Sequence, residues 1–400
     1  MFGSRLLRSM AAVLLALLCA LPALGEQQEP FCSDRGCTQT RALLRNMCDY
    51  IVKEKAEYPT IYIGGYYMRT LVAGYEIFGD QRYLDTALAY GDYLLNKQMP
   101  NGFWQTGYGP VFMADTGSAL GLFIVLYNHA DHERQQKYFD AVQRYVDSIQ
   151  KEGMIHPDGS FGTGWRRVVD GKLTTPLYDE YTLSSALTGS EIFTWIYHKT
   201  KKDQYRQIAY HALQWVFSTM RSDGVIPHIL GENGFDWTKR DDPQMEHKLF
   251  STMAYGVSGY VGEGVLSFDL YCDDPAWKAW IEKAVKPNVE FLLRTQLANG
   301  SWSELEQTSW DRTRSPGIID YLIWYYVHVD QDPRIANAIR RFDAFVLDPA
   351  NGKSFGLLNS GAESTTKTDI SGFNTVTSLT GRALADILSP GIDAQWDNRK

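Results

Sequence analysis

Apolar residues recur every three or four positions through most of the chain, which is the spacing of an amphipathic helix. The first such segment, Thr38–Tyr58, is followed by paired segments, and Thr375–Leu388 ends the series. The predicted pairs are Tyr66–Phe78 with Arg82–Lys97, Ala114–Asn128 with Glu133–Lys151, Tyr181–His198 with Gln204–Met220, Gly259–Tyr271 with Ala276–Leu293, and Gly317–Val329 with Pro333–Phe345. No stretch shows sustained strand alternation flanked by hairpin turns, so the pattern predicts an all-α protein without a sheet domain.

The first and last predicted helices have no partner next to them in the sequence. If the chain closes on itself, these two helices form a sixth pair, and the six hairpins make an (α/α)6 toroid. Small residues mark the first helix of several pairs, as at Gly117, Ser184 and Gly262, and they allow the close helix approach that an inner ring requires. No linker rich in Pro, Gly or Ser interrupts the series, so residues 38–400 are predicted to form one domain.

A pattern of the form Gln-x-x-x-Gly-x-Trp follows the second helix of two different pairs. The copies are Gln98-Met-Pro-Asn-Gly-Phe-Trp104 and Gln296-Leu-Ala-Asn-Gly-Ser-Trp302. A pattern that returns after equivalent helix pairs indicates an internal structural repeat. We expect Trp104 and Trp302 to pack between neighbouring hairpins.

Connections within a predicted pair are short, whereas connections between pairs are long and rich in charged and aromatic residues. The long connections are Asn101–Asp115, Asp158–Glu180, Asp223–Ser258, Asn299–Ser315 and Asn351–Phe373. All connections of one kind lie at one end of a toroid, so these gather at a single mouth, where the inner helices also begin. Long loops on a rigid scaffold often carry function, and helix N-termini favour anions. We therefore expect the functional site at this mouth.

The N-terminus has the pattern of an export signal. Arg5 and Arg8 precede the apolar run Met10–Leu24, and Ala23-Leu-Gly25 supplies small residues for cleavage before Glu26. We expect residues 1–25 to be a signal peptide. The mature protein is then secreted or periplasmic, with no membrane attachment after cleavage.

Four cysteines remain after the signal peptide: Cys32, Cys37, Cys48 and Cys272. The first two lie in an N-terminal segment, residues 26–37. An oxidising compartment favours two disulfides that fasten this segment to the body, and the pairing stays open. A zinc site is the alternative, although no His lies at ligand spacing from the cysteine cluster.

Charge and composition narrow the ligand classes. A formal net charge of -8 argues against nucleic acid, whose binding requires a basic surface. The chain has 11 Trp, 24 Tyr and 18 Phe, and these aromatic rings suit a sugar-binding surface because pyranose rings offer apolar faces. We expect no metal or other cofactor.

With its helix pairs and Asn-Gly-x-Trp loop ends, the chain resembles the six-hairpin toroid families that act on polysaccharides. These are the unsaturated uronyl hydrolases, related glycoside hydrolases and (α/α) polysaccharide lyases. The resemblance covers nearly the whole mature chain and implies a carbohydrate-active enzyme. A fold alone does not define an activity, so the candidate site residues follow from the chemistry of the side chains at the mouth.

Glycoside hydrolysis needs two carboxyl groups, one to protonate the leaving oxygen and one to activate water or attack. The leading candidates are Asp115 and the cluster Asp179, Glu180 and Tyr181, because both precede small-residue helices at the mouth. The alternative is that these acids cap their helices, since Asp is a preferred N-cap residue. Glu263, a further catalytic candidate, and Asp320, a substrate-binding candidate, lie further inside inner helices, where burial requires either a function or an ion pair.

Basic and aromatic residues in the same loops fit an acidic sugar substrate. An Arg fork binds a carboxylate through two hydrogen bonds, although any single Arg is also explained by a surface salt bridge. The arginines expected to bind substrate are Arg166, Arg167, Arg312 and Arg314. The tryptophans expected to stack on sugar rings are Trp165, Trp237 and Trp310.

A second function class depends on residues that can act as a proton-abstracting base: Tyr181, His228, His247 and Tyr255. A polysaccharide lyase or uronyl epimerase removes the proton beside a uronate carboxylate with such a base. His228 is also expected to contact substrate. The leading hypothesis is an exported glycoside hydrolase that acts on acidic, uronate-containing oligo- or polysaccharides. The lyase or epimerase is the second hypothesis, and a non-catalytic glycan-binding toroid is the third.

Overall fold

The computed structural model describes residues 31–54, 61–104, 111–169, 172–228, 254–302, 315–348 and 379–391, and the helices in these ranges form two concentric rings. The inner ring contains α2 (Ile61–Phe78), α4 (Met113–Tyr127), α6 (π-helix Ser184–Ile192 continuing as α-helix Phe193–Thr200), α8 (Ala254–Tyr271), α10 (Ile318–His328) and α12 (379–388). The outer ring contains α1 (Thr38–Glu54), α3 (Gln81–Lys97), α5 (His132–Lys151), α7 (Asp203–Ser218), α9 (Pro275–Thr295) and α11 (Pro333–Leu347).

Hydrophobic patterning sorts the helices between the two rings. Helix α4 is apolar on all sides, and every residue from Thr116 to Leu126 is buried. Helix α5 buries only one stripe, which includes Tyr138, Val142 and Tyr145. Most outer helices also begin at an Asp whose side chain accepts a first-turn N–H. These capping residues are Asp80, Asp131, Asp274 and Asp332.

The ring closes between the two ends of the described chain. Helix α2 packs on α4, α4 on α6, α6 on α8, and α8 on α10. On the remaining side, Gly381 of α12 lies so close to Thr70 of α2 that a Cβ there would overlap the Thr70 side chain. The N–H of Phe31, ahead of α1, donates to the Ile387 carbonyl of α12 over 2.9 Å. The predicted (α/α)6 toroid, closed by its first and last helices, is confirmed.

The all-α class is confirmed, and a small sheet accompanies the helices; its strands come from the connection between α3 and α4 and from the connection between α5 and α6. Strands β1 (Val111–Phe112), β2 (Gly162–Val169) and β3 (Lys172–Glu180) form an antiparallel sheet in that order. Val169 pairs with Lys172, so β2 and β3 are joined by two residues, and the sequence there is Asp-Gly. Asp-Gly between two apolar runs is a strong hairpin signal, and the helical periodicity around it hid that signal.

Two inner helices begin earlier than their apolar spacing predicts. Helix α2 starts at Ile61 and α8 at Ala254, each five residues before the predicted start. Gly64 and Gly65 indicate a loop in the sequence, yet both are buried inside α2. A Cβ at Gly64 would overlap Tyr90 of α3, so the glycine serves helix packing rather than a turn.

The expectation of two disulfides is wrong for the described residues. Cys32 and Cys37 form a disulfide with a Cα–Cα distance of 5.3 Å, whereas Cys48 and Cys272 are free and buried. Cys48 lies on α1 beside α2, and Cys272 follows α8, which lies on the opposite side of the inner ring. The disulfide therefore closes a local loop, and hydrogen bonds fasten the segment to the body. Asp343 of α11 accepts from the Ser33 N–H and the Ser33 hydroxyl, both over 2.7 Å.

The proposed signal peptide, residues 1–25, lies outside the described residues. Within the described part of the chain, no helix combines the length and the apolar character that crossing a bilayer requires.

The repeated Gln-x-x-x-Gly-x-Trp pattern joins consecutive hairpins. The Gln98 side chain donates to the carbonyls of Gly102 and of Ala141 in α5, both over 2.9 Å, and the Trp104 indole donates to Leu94 over 2.9 Å. In the second copy Gln296 donates to Gly300 and Ala338, and Trp302 donates to Leu292. Both tryptophans are buried, so the prediction that they pack between hairpins is confirmed.

Within the described residues, the turn inside this pattern occurs at four places, although the complete sequence pattern appears at only two. The turns are Asn101-Gly102, Asp158-Gly159, Asp223-Gly224 and Asn299-Gly300. In each, the Asn or Asp side chain accepts the N–H of the residue two positions later. Each glycine has a φ between +84° and +94°, and a Cβ on it would collide with the backbone of the next outer helix. The described toroid is therefore built from a repeated turn as well as from repeated helices.

Candidate functional site

The mouth is the end of the ring where the inner helices begin, and the sheet lies along one side of it. β1 leads directly into α4, and β3 ends four residues before α6 begins. Several connections at this end, residues 105–110, 229–253, 303–314 and 349–378, lie outside the described residues. The described part of the mouth is thus the side formed by the sheet, the starts of α4 and α6, and the segment that ends at His228.

Asp115 lies in the first turn of α4 and is half-buried. The N-cap position of this helix is Phe112, which makes no capping side-chain bond, so the alternative that Asp115 caps the helix is wrong. The N-terminal end of a helix stabilises a nearby carboxylate through the unpaired N–H groups of its first turn. Asp115 thus lies at the mouth, where the helix N-terminus favours a carboxylate.

A β-bulge precedes the start of α6. Gly162 pairs with Glu180 and Gly164 with Leu177, so β3 carries one more residue than β2 in this interval. Bulges redirect side chains and are common next to active sites. Here the bulged stretch contains Asp179, whose backbone carbonyl accepts from the Thr163 hydroxyl over 3.0 Å.

Asp179 and Glu180 are half-buried, and their carboxylates make no hydrogen bond or ion pair with another residue in the described ranges. Half-buried carboxylates without a protein partner remain available to a ligand. The predicted lead acids therefore lie at the same end of the ring, around the sheet and the start of α4.

Tyr181 and His228 form a hydrogen-bonded pair beside these acids. The Tyr181 hydroxyl lies 3.1 Å from Nε2 of His228, and the imidazole tautomer decides which atom donates. The Tyr181 ring also lies 6.5 Å from that of Phe112, at the start of α4. Backbone bonds fix the pair, because Tyr181 N–H donates to Phe161 and the Thr182 hydroxyl donates to Pro227. The structure thus brings together two residues that the sequence separates by 47 positions.

Other predicted mouth residues have interior roles. Trp165 is only 2% exposed and packs edge-on against Phe103, so the prediction that it stacks on a sugar ring is wrong. Its neighbour Arg166 is exposed, because successive strand residues point to opposite faces. Tyr255 is 1% exposed and stacks on Phe291, which rules out a role as an exposed base.

Six predicted residues cannot be assigned side-chain positions. Arg167 lies in β2, and nothing about its side chain is described. The other five lie outside the described residues: Trp237, His247, Trp310, Arg312 and Arg314.

Glu263 and Asp320 belong to a buried ion network, which we call the floor. Its members are Arg69, Glu191, Glu263, Asp320 and Arg382. Arg69 bonds Glu191 over 3.2 Å and Glu263 over 2.9 Å, and Arg382 bonds Glu263 and Asp320 over 2.9 Å each. The Tyr66 hydroxyl adds a 3.0 Å bond to Glu263. Both carboxylates thus have the ion-pair explanation that the sequence left open, and the expected roles of Glu263 in catalysis and of Asp320 in substrate binding are not supported.

The floor closes the centre of the ring at mid-height. It joins α2 to α8 across the full ring, and the remaining inner helices contribute Glu191 of α6, Asp320 of α10 and Arg382 of α12. Even α4 takes part, because the Ser118 carbonyl accepts from Arg69 over 3.2 Å. Sequence reasoning missed Arg69, Glu191 and Arg382. Their only signal was a charge at the centre of an otherwise apolar or small-residue helix.

Burial shifts the proton affinity of two groups in the floor. It raises the pKa of Glu191 to about 7, against the opposing effect of Arg69. Burial, together with the Glu263 carboxylate, raises the pKa of the Tyr66 hydroxyl well above its ordinary value. Tyr66 therefore stays neutral and donates to Glu263. No group of three His, Cys, Asp or Glu side chains within the described ranges is arranged to hold a metal ion.

Comparison with known proteins identifies the class of fold. No family model matches the sequence, and the comparison with curated proteins yields no match either. Solved structures do match. A possible member of the GH105 family from Klebsiella pneumoniae has 13% identity and a TM-score of 0.62, and the match covers 92% of this chain and 96% of that one.

Two further structures broaden the comparison. An unsaturated glucuronyl hydrolase with dGlcA-Glc-Rha-Glc shares 13% identity over 91% of this chain and 99% of its own, with a TM-score of 0.61. A polysaccharide lyase shares 13% identity over 88% of this chain and 98% of its own, with a TM-score of 0.59. These structures confirm the predicted resemblance to toroid carbohydrate-active enzymes. At such identities the likeness shows the (α/α)6 fold.

Proposed function

We propose that this protein is a carbohydrate-active enzyme that hydrolyses glycosidic bonds in acidic oligosaccharides at the mouth of the toroid. The observation that carries the proposal is the grouping of Asp115, Asp179 and Glu180 around the start of the inner ring, with the Tyr181–His228 pair beside them. The similar toroid structures, which include a glucuronyl hydrolase with an acidic oligosaccharide, give independent support.

The carboxylates divide the work of glycoside hydrolysis. Asp115 supplies one of the two carboxyl groups, and either Asp179 or Glu180 supplies the other. One of them protonates the leaving oxygen, and the other activates water or attacks the sugar. Arg166, exposed on the same sheet, supplies a cation for a substrate carboxylate, and Arg312 and Arg314 are further candidates from the sequence. Trp237 and Trp310 stay predicted stacking residues, and His247 a predicted base.

The test uses purified protein and a panel of acidic oligosaccharides that includes dGlcA-Glc-Rha-Glc and oligogalacturonate. Hydrolysis releases reducing ends without creating a new carbon–carbon double bond. Asp115→Asn and one of Asp179→Asn or Glu180→Gln should each lower kcat by about 100-fold or more, because each removes a proton-transfer or nucleophilic group. Asp92→Asn, on the exposed face of α3, is the matched control and should keep full turnover.

Full turnover in all three mouth variants would remove the assignment of these carboxylates. Binding of the oligosaccharides without any product would favour the non-catalytic toroid instead.

The Tyr181–His228 hydrogen bond favours a second candidate, a lyase or uronyl epimerase. A Tyr or His base can remove the proton beside a uronate carboxylate, after which elimination leaves a double bond and epimerisation returns the proton to the other face. A rise in ultraviolet absorbance from a new double bond identifies the lyase. A changed sugar configuration without chain cleavage identifies the epimerase. Under either activity Tyr181→Phe should be the most damaging variant, whereas under hydrolysis the carboxylate variants should be.

We also propose that the protein is exported after cleavage between Gly25 and Glu26, on the pattern of the N-terminal sequence. N-terminal sequencing of the protein recovered from the culture medium or periplasm should begin at Glu26. Recovery of an intact N-terminus from the cytoplasm would contradict export.

A further inference from the structure

A cavity of about 60 Å³ lies on the far side of the floor, at the end of the ring where the helices of each pair connect. We call it the closed-end cavity. Glu191, Glu263, Asp320 and Arg382 of the floor form its inner wall, and its outer edge includes His328, which is exposed. The cavity therefore runs from the buried centre of the ring to the surface opposite the mouth.

Carboxylates are the most numerous charged groups among the described residues that line this cavity. Glu191, Glu263, Asp320 and Asp386 line it, and each is at most 8% exposed. Within the described ranges, two guanidinium groups, those of Arg69 and Arg382, are paired with these acids. Carboxylates with little access to water attract a cation more strongly than exposed ones do, so they would help to stabilise a cation in the cavity.

One carboxylate oxygen in the cavity wall has no partner. Glu191 is 3% exposed, and its Oε1 accepts from Arg69 over 3.2 Å. Its Oε2 is fully buried and makes no hydrogen bond with any residue in the described part of the chain. A buried carboxylate oxygen without a donor costs free energy comparable to a lost charge-assisted hydrogen bond. A ligand that donates a hydrogen bond at this point would recover that cost.

The backbone around Glu191 places it at this position. The inner helix α6 is a π-helix from Ser184 to Ile192 before it continues as an α-helix. Long π-helical stretches are rare, and π-type turns occur frequently at functional sites. Every residue from Ser184 to Ile196 is buried, so Glu191 has no solvent-facing side of the helix available to it.

The size and walls of the cavity define the class of ligand. Liquid water takes about 30 Å³ per molecule, so the cavity holds the equivalent of about two waters and excludes a sugar. Mg²⁺ and Ca²⁺ need at least six oxygen ligands, and the described residues offer no metal-binding cluster. An ammonium group needs only hydrogen-bond acceptors, and Ile323 and the Trp324 indole provide an apolar wall for a methyl group and a π surface for a cation.

We propose that the closed-end cavity binds one small ammonium cation, either ammonium itself or methylammonium, which donates a hydrogen bond to Oε2 of Glu191. The charged groups that face Glu191 are Arg69 of α2, Glu263 of α8 and Arg382 of α12, and Asp320 and Asp386 share the cavity. The ligand requires Glu191 in its ionised form. Because burial raises the pKa of Glu191 to about 7, binding is present at pH 8 and lost at pH 5.5.

Thermal unfolding of the full chain tests this site without any substrate. At pH 8 and equal ionic strength, ammonium chloride and methylammonium chloride should each raise Tm by about 2 °C over sodium chloride, in a saturable way. Tetramethylammonium chloride should give no rise, because this cation has no N–H donor and exceeds the cavity. A comparison of the two active salts shows whether the wall accepts the methyl group. At pH 5.5 the difference between salts should disappear.

Two variants of the cavity and one exposed control variant separate the site from general salt effects. Glu191→Gln removes the charge and should abolish the ammonium-specific rise, while Glu133→Gln on exposed α5 should keep it. Val327→Phe fills the outer part of the cavity without touching the floor, and it should also abolish the ammonium-specific rise. This variant provides the test if Glu191→Gln does not fold. Equal Tm values in all four salts, or an ammonium-specific rise that survives in a folded Glu191→Gln or Val327→Phe protein, would overturn the proposal.

Discussion

Glu191 illustrates how burial changes the chemistry of one residue. The side chain lies at the centre of an inner ring whose neighbouring residues are apolar or small, and a single Arg69 contact holds one of its two oxygens. Desolvation favours the neutral form, so the pKa of Glu191 rises from its ordinary value to about 7. The fold therefore binds a proton more tightly than the unfolded chain does.

This proton linkage makes stability depend on pH. A raised carboxyl pKa contributes stability that is fully present below the unfolded value of about 4.5 and is lost as pH rises through about 7. In sodium buffers, the unfolding free energy that depends on Glu191 should fall by about 2–3 kcal/mol between pH 5 and pH 8. Urea unfolding at pH 5 and at pH 8 measures this change in the unfolding free energy. Glu191→Gln should lack this component, and an unchanged pH slope in that variant would contradict the linkage.

The sequence predicts the position of a site residue where the local pattern of helices and loops shows whether that residue lies at the mouth. Asp115 and the Asp179-Glu180-Tyr181 cluster were placed at the mouth because they precede inner helices. Trp165 was misassigned because its burial depends on strand pairing with Pro176 and contact with Phe103, which no local spacing reveals. The Tyr181–His228 bond depends likewise on two connections meeting in space.

At the scale of elements, the repeated turn sets how neighbouring hairpins fit together. Gly153 and Gly159 lie in the same connection, and both have positive φ, at +68° and +92°. A Cβ at Gly153 would meet nothing within 4 Å, whereas one at Gly159 would come within 2.6 Å of the His211 carbonyl in α7. A comparison of the two positions therefore distinguishes the cost of backbone strain, which both share, from the cost of a clash with the next hairpin, which only Gly159 has.

Alanine at these two positions should have unequal costs. Gly153→Ala should lower the unfolding free energy by about 1 kcal/mol, the cost of a left-handed conformation. Gly159→Ala should cost about 2 kcal/mol more, because α7 or the turn must move to make room. Urea unfolding of both variants provides the comparison. Similar losses for the two would mean that the turn does not contact the next hairpin as described.

The elements themselves were largely predictable, and the exceptions have physical reasons. Apolar periodicity predicts every inner and outer helix in the described ranges, because each helix buries a continuous face. The hairpin of β2 and β3 was missed because its Gly162–Glu180 stretch was read as one long loop between helices. The π-helical part of α6, Ser184–Ile192, has the apolar and small residues of an inner helix, and its sequence predicts an ordinary α-helix.

At the scale of the whole molecule, stability depends on closing the ring. Asp343 of α11 is fully buried and accepts hydrogen bonds from Ser33 and from the Thr40 hydroxyl of α1. It thereby joins the last described outer helix to the first. The sequence predicted this closure from the unpaired terminal helices, but not the residue that accomplishes it, because the partners are about 300 positions apart.

Asp343→Ala should destabilise the whole toroid rather than its N-terminus alone. Loss of a buried acceptor for several donors should cost about 3 kcal/mol. If the ring unfolds cooperatively, far-UV circular dichroism and tryptophan fluorescence should report one common shift in the urea midpoint. Asp92→Ala removes an exposed salt bridge with Arg134 and should cost less than about 1 kcal/mol. Separate transitions in the two signals would contradict closure as the source of the effect.

The floor also determines how long molecules can use the mouth. Its ion pairs span the ring from α2 to α8 and bind all six inner helices at mid-height, so the central space is a well rather than a tunnel. A polymer cannot thread through such a well and emerge on the other side. Only a chain end or a sharp bend can reach the floor, and a molecule that enters the well must leave through the mouth.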